Sequence, residues 1–150
     1  MKHETFDSAL RSTWQLVSKM YNKEASKFES TMATGFALLS IDAEGTPSTN
    51  LGPKMGIEPT SLSRLLNTME RKGLIIRSKN PNDGRSVLIN LTPFGRQKRE
   101  DSKAVVLKFN EELNNKLSTQ KVKHFFEVIQ GIRETTLQFE YFKEDTLRQI

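Results

Sequence analysis

One stretch of this 150-residue chain departs from helical periodicity. Two apolar runs, Leu74-Ile75-Ile76 and Val87-Leu88-Ile89, flank Asn80-Pro81-Asn82-Asp83-Gly84-Arg85-Ser86. Asn-Pro and Asp-Gly are turn dipeptides, so the stretch reads as a hairpin with strands at about 74–79 and 86–91. Leu74 and Ile76 fall on one face of the first strand, and Val87, Ile89 and Leu91 on one face of the second. A single hairpin set among helices makes the fold mainly α, of the α+β kind. It also raises the question of why an arginine, Arg85, directly follows the turn.

The helices are legible from spacing. Phe6, Leu10, Trp14, Val17, Tyr21, Ala25 and Phe28 recur at threes and fours, one face of a helix over about 6–28. A second helix, about 32–43, is apolar almost all round and should be buried on most sides, with Gly45, Thr46 and Pro47 ending it. Residues 48–56 read as a short helix with a Ser or Thr cap, closed by Gly56. Pro53 must lie in its first turn or distort it. Pro59 opens the next helix with Glu58 at the positive end of its dipole. Leu62, Leu65, Leu66 and Met69 form its stripe, and Gly73 stops it. After the hairpin, Thr92 and Pro93 start a helix over about 93–116. Ser118 caps a last one over about 119–146, with Phe125, Phe126, Ile129, Ile132 and Phe139 in register. The first two and last two helices have broad apolar faces, which suggests that the chain ends pair with a second copy. An intramolecular bundle is the alternative.

Composition excludes several functions. The chain lacks cysteine, so disulfides, thiolate metal sites and thiol redox sensing fall away. His3 and His124 are too isolated to found a metal site and read as surface or packing residues. No apolar run reaches membrane-spanning length, and no export signal is present, which points to the cytoplasm. The net charge is +5, and its distribution is uneven. Residues 53–99 hold ten Lys and Arg against three Asp and Glu, while the remainder is slightly acidic. A positive field confined to the segment with the hairpin suggests a polyanionic partner.

A short helix, a turn at Gly56 and a second amphipathic helix make a helix-turn-helix. Opposite the apolar stripe of the second helix stand Thr60, Arg64, Asn67 and Arg71, flanked by Ser61, Ser63 and Thr68. Arg can pair bidentately with guanine and Asn with adenine, and Ser or Thr can reach bases or phosphates. Glu70 is the first acid on this face, at its edge. With that helix in a major groove, the hairpin tip can meet the neighbouring minor groove, whose negative potential draws arginine. Arg85 is the candidate there. Gly84 lets the backbone turn, and Asp83 orients Arg85 or another local arginine or serves the turn alone. Lys54, Lys72 and Lys79 read as phosphate contacts or solvated charges.

The run P-T-S-L-S-R-L-L-N-T-M-E-R-K-G-L-I-I-R, residues 59–77, resembles the recognition helix and first wing strand of MarR-family transcriptional regulators. The run N-D-G-R-S-V-L-I-N-L-T-P-F-G, residues 82–95, resembles their wing and the Leu-Thr-x-x-Gly start of the next helix. The resemblance maps the Asp-x-Arg wing motif onto Asp83 and Arg85, and the Ser-Arg pair onto Ser63 and Arg64. It implies one domain over 1–150, with a winged helix-turn-helix DNA-binding lobe at about 32–92 and a two-stranded wing. Residues 1–28 and 93–150 would supply dimerisation helices. The implied protein is a homodimer on pseudo-palindromic double-stranded DNA, a repressor released by a small aromatic or phenolic ligand. No cofactor is implied. Gly52-Pro53 departs from the family's helix-favouring residues, which implies a short first helix in the motif.

Trp14, Tyr21 and Phe36 can line an effector pocket or be plain core. A winged-helix module that binds another protein is the competing reading. An enzyme is not supported: there is no nucleophile–base pair, and Gly52-Pro53-Lys54-Met55-Gly56 lacks the length and final Ser or Thr of a phosphate-binding loop.

Overall fold

The computed structural model describes residues 4–140, so His3 and residues 141–146 lie outside the described residues; the last helix, expected to run to 146, already ends at Gln138, where Phe139 turns extended. The elements are α1 (Phe6–Ser26), α2 (Met32–Ser40), β1 (Thr46–Pro47), α3 (Ser48–Met55), α4 (Pro59–Arg71), β2 (Ile75–Lys79), β3 (Val87–Leu91), α5 (Pro93–Lys116) and α6 (Thr119–Gln138). They fall into two compact units, one ending at Leu107 and the other beginning at Lys108.

In the first unit, Ala37, Leu38 and Ile41 from α2 and its end meet Leu51 of α3. Leu62, Leu66 and Met69 of α4 join them, with Leu74, Ile75 and Ile89 from the hairpin. Fully burying such side chains stabilises by roughly 1.5–3 kcal/mol each, which is why α4 turns its leucine stripe inward. The sheet is antiparallel with strand order β1-β3-β2, so it has three strands rather than the expected two. The extra strand pairs Thr46 with Ile89 and Pro47 with Leu88. Two residues are too few to show periodicity, and Pro47, lacking an N–H, suits an edge strand.

Other boundaries move for local reasons. α1 stops at Ser26 rather than at residue 28. Glu29 adopts a left-handed φ of 58°. Its N–H donates to Ser26 and that of Ser30 to Ala25, the paired bonds of a helix-ending motif usually built on glycine. α2 stops at Ser40, not at residue 43. Beyond it Asp42 N–H donates to Thr46 Oγ1 at 2.9 Å, and that hydroxyl donates to Asp42 Oδ2 at 3.2 Å, closing a turn. The N-cap of α3 is Pro47 with no side-chain cap, not a Ser or Thr, because β1 runs straight into the helix. Pro53 lies inside the eight-residue α3, beyond its first turn. In β2 the buried residue is Ile75, while Ile76 is 54% exposed. Leu74 is buried as well but precedes the strand, since its N–H still belongs to α4 through Met69 O at 2.9 Å. On β3 only Ile89 is buried, with Val87 exposed.

The start of α5 is tied to the hairpin. Thr92 Oγ1 accepts from Gly95 N–H at 2.9 Å and donates to Gly73 O. A Cβ on Gly95 would stand 1.9 Å from Leu74 O, so only glycine lets the helix approach the strand this closely.

In the second unit Ser118 caps α6, accepting from Lys121 N–H at 3.3 Å. Phe125 and Phe126 meet edge to face with centroids 5.2 Å apart. Among the described residues α6 buries none of its side chains. His124 is exposed on it.

Candidate nucleic-acid interface

The turn between α3 and α4 is built on Gly56, with φ 67°. Ile57 N–H donates to Gly52 O at 3.1 Å, and Glu58 then caps α4 ahead of Pro59 in the first turn. At the other end Gly73, φ 72°, closes α4 with the same paired bonds. The two glycines set the direction in which α4 leaves and returns to the core. With Leu62, Leu66 and Met69 inward, Thr60, Ser61, Ser63, Arg64, Asn67 and Arg71 are exposed, and Thr68 is half-buried.

These polar residues are not equivalent. Thr68 Oγ1 donates to Arg64 O at 3.0 Å and accepts from Arg71 Nη2 at 3.3 Å, so it serves the helix first. Arg77, on β2, donates from Nη2 to Asn67 Oδ1 at 2.9 Å and pairs through Nη1 with Glu70 Oε2 at 3.2 Å. Among the described residues Arg64 and Arg85 form no ion pair or side-chain hydrogen bond, which leaves both guanidiniums available.

The wing tip is ordered by short-range bonds. Asn80 is buried, with Nδ2 donating to Ser86 Oγ at 2.8 Å and Oδ1 accepting from Asn82 N–H at 3.0 Å. Asp83 Oδ1 accepts the backbone N–H of Arg85 at 2.9 Å, so the carboxylate positions Arg85 through its main chain rather than its guanidinium. Gly84 is not in the left-handed region, and a Cβ there would meet nothing, so the turn does not require glycine. Asn80 and Ser86 were not foreseen as a buried pair. The signal available was their flanking of the turn.

Part of the positive charge is engaged internally. Lys54 Nζ donates to Ser40 O at 2.8 Å and reaches Asp42 at 3.2 Å, so part of its charge is met within the chain. The bond from Lys54 holds the Asp42 carboxyl below its ordinary pKa. Lys98 stands over the rings of Phe28 and Phe94, and Arg99 Nε donates to Leu38 O at 3.2 Å. With Arg77 also engaged, the cations of this segment that face outward are Arg64, Arg71, Lys72, Lys79, Arg85 and Arg96.

Between α1, α2 and α5 lies a cavity of about 20 Å³ lined in part by Tyr21, Phe36, Ser102 and Val105. Trp14 stacks on Phe36 with centroids 6.4 Å apart but remains 53% exposed and is not part of the lining. Burial raises the Tyr21 pKa.

Helix-turn-helix, crossing strand and wing together define a winged helix-turn-helix protein. Residues 31–87, the lobe that carries the helix-turn-helix and most of the wing, match the model of the MarR family. A relative in Bacillus subtilis (strain 168), the uncharacterized HTH-type transcriptional regulator YdgJ, is 28% identical over 95 residues. That match covers 63% of this chain and 58% of the relative, so the chain spans little more than half of the relative's length. The S. aureus MepR–DNA complex superposes with a TM-score of 0.80 at 19% identity, covering 87% of this chain and 98% of MepR. A mutant MarR from E. coli complexed with operator DNA superposes at 0.73 with 25% identity, covering 83% and 90%. No helix among the described residues is long and apolar enough to cross a membrane.

Proposed function

We propose that this chain is a sequence-specific DNA-binding transcriptional regulator, a homodimeric repressor that acts in the cytoplasm and is released by a small aromatic or phenolic effector. The observation that carries this reading is the exposed face of Thr60, Ser61, Ser63, Arg64, Asn67 and Arg71 on a helix whose other side is locked into the core. Thr68 backs this face from a half-buried position. A face of hydroxyls, amide and guanidinium suits base edges and phosphates in a major groove. Arg85, whose backbone N–H is held by Asp83 at the wing tip beside Gly84, suits the adjacent minor groove. The two DNA complexes among the similar structures support the same use of the fold. MarR-family proteins are transcriptional regulators, not enzymes.

In a dimer two recognition helices stand about 34–36 Å apart, matching half-sites one duplex turn apart. The exposed Phe6, Trp14, Leu16, Phe125, Phe126 and Phe139 supply apolar surface for such pairing. The cavity of about 20 Å³ holds no more than a water, whereas an aromatic ring needs space on the order of 150 Å³. An effector there must open the packing of α1, α2 and α5. Opening is how its binding would favour a form with the wrong helix spacing.

Selection of fragments from the organism's own DNA tests the reading. The expected result is enrichment of a pseudo-palindrome with half-sites about one turn apart. Recovery of no preferred fragment would instead favour a winged-helix module that binds protein.

A further inference from the structure

Arg77 does not belong to the recognition helix, yet its guanidinium bridges two side chains of that helix, Asn67 and Glu70. A guanidinium carries only donors. The Asn67 atom facing it at 2.9 Å must therefore be the carbonyl oxygen, whichever way an isolated amide would turn. The amide is thereby oriented, with the oxygen on the strand side and Nδ2 as its free end. Charge acts in the same sense. Glu70 is the only acid in the C-terminal half of α4, and Arg77 Nη1 neutralises it at 3.2 Å where a polyanion would otherwise be repelled. Glu70 in turn braces the guanidinium, so Asn67, Arg77 and Glu70 form one fork. The side chains of Arg77 and Glu70 are 32% and 44% exposed, so the fork lies at the rim of the proposed interface rather than in the core.

We infer that Arg77 is a positioning residue for base readout, which makes Asn67 a donor-only probe. This rests on the proposed DNA-binding function. A bidentate Asn–adenine contact uses the amide oxygen to accept from N6 and the nitrogen to donate to N7. Arg77 takes one of the two lone pairs of the oxygen and holds that oxygen on the strand side, so the contact falls to the two N–H groups of the free Nδ2, which select an edge made of acceptors. Guanine, with O6 and N7, is the purine that offers two. Asn67 in this chain thus prefers guanine to adenine, and Arg77, which need not touch the DNA, decides that preference.

The test is duplex selection from a random pool, followed by titration, with the parent chain, Asn67→Ala, Arg77→Lys and Arg77→Ala. The base pair read by Asn67 is the one whose preference disappears in Asn67→Ala. At that pair the parent should favour guanine over adenine by about tenfold, the span of one good contact. Arg77→Lys keeps the positive charge but lacks the planar fork. It should bind the selected duplex with near-parent affinity while the preference falls to about twofold or shifts to adenine. Arg77→Ala should lose the preference and, with Glu70 uncovered, bind more weakly at every sequence. Thermal melting checks that each variant stays folded.

A parent preference for adenine at that pair overturns the inference. So does an unchanged guanine preference in both Arg77 variants, or an Asn67→Ala variant that alters preference nowhere. If the parent selects no duplex, the DNA-binding reading itself falls and takes the inference with it.

Discussion

α4 and α6 are both amphipathic, with 13 and 20 residues, yet they end in opposite states. α4 sinks Leu62, Leu66 and Met69 into a core completed by α2, α3 and the hairpin. α6 leaves Phe125 at 56% and Phe126 at 63% exposure, with none of its side chains buried among the described residues. The residue types on the two apolar faces do not explain this, since the phenylalanines of α6 are the larger. The difference lies in whether one chain supplies a partner surface. The winged-helix lobe is self-sufficient, so its polar face is fixed in direction. The terminal helices keep large apolar side chains exposed among the described residues, and a second copy is the partner proposed above.

The largest expected effect tests the uncovered side. Phe125→Asp with Phe126→Asp should convert a dimer to monomer and lower affinity for a two-half-site duplex by about 100-fold or more, since the second half-site contact is then lost. Sedimentation and titration of the same sample read both changes. A variant that stays dimeric with parent affinity would place the covering surface elsewhere. On the self-sufficient side, Gly95→Ala forces a methyl against Leu74 O and should destabilise the fold by about 3 kcal/mol, read from urea unfolding.

How legible each region was follows from the same contrast. α4 could be read almost to the residue. Its stripe, its opening Pro59 and its closing Gly73 all act locally, and tertiary packing agrees with them. The end of α1 was missed because Glu29 takes the left-handed turn that a glycine would have signalled. β1 was missed because a two-residue strand has no period. The inward face of β2 was misassigned because Leu74 still closes α4, which shifts the start of alternation by one residue. In the candidate site, residue types on the α4 face were readable from helical spacing. Their partners were not: the Arg77–Asn67 bond spans a helix and a strand, and Lys54 of α3 reaches back to Asp42 in the turn after α2, so neither could be read from the sequence. A count of charges likewise says nothing of which are already paired.

Smaller effects sharpen the account of the polar face. Arg64→Ala should cost about 1–3 kcal/mol on the selected duplex and relax preference at one base pair. Arg85→Ala should weaken binding less, and chiefly on duplexes whose flanking minor groove is narrow, in a comparison of A-tract with mixed flanks. Affinity equal to the parent's would remove either residue from the interface. The smallest change concerns α1. Glu29→Gly relieves a left-handed non-glycine backbone and should raise stability by about 0.5 kcal/mol, read as a shift in the urea midpoint.

The most direct measurement is the affinity of the intact chain for its selected duplex across a series of salt concentrations. If the α4 face and wing grip DNA, log affinity should fall linearly with log salt, with a slope of about −0.9 for each phosphate contacted, and two chains should bind per duplex. A slope near zero, or affinity no higher than for unrelated duplexes, would contradict it.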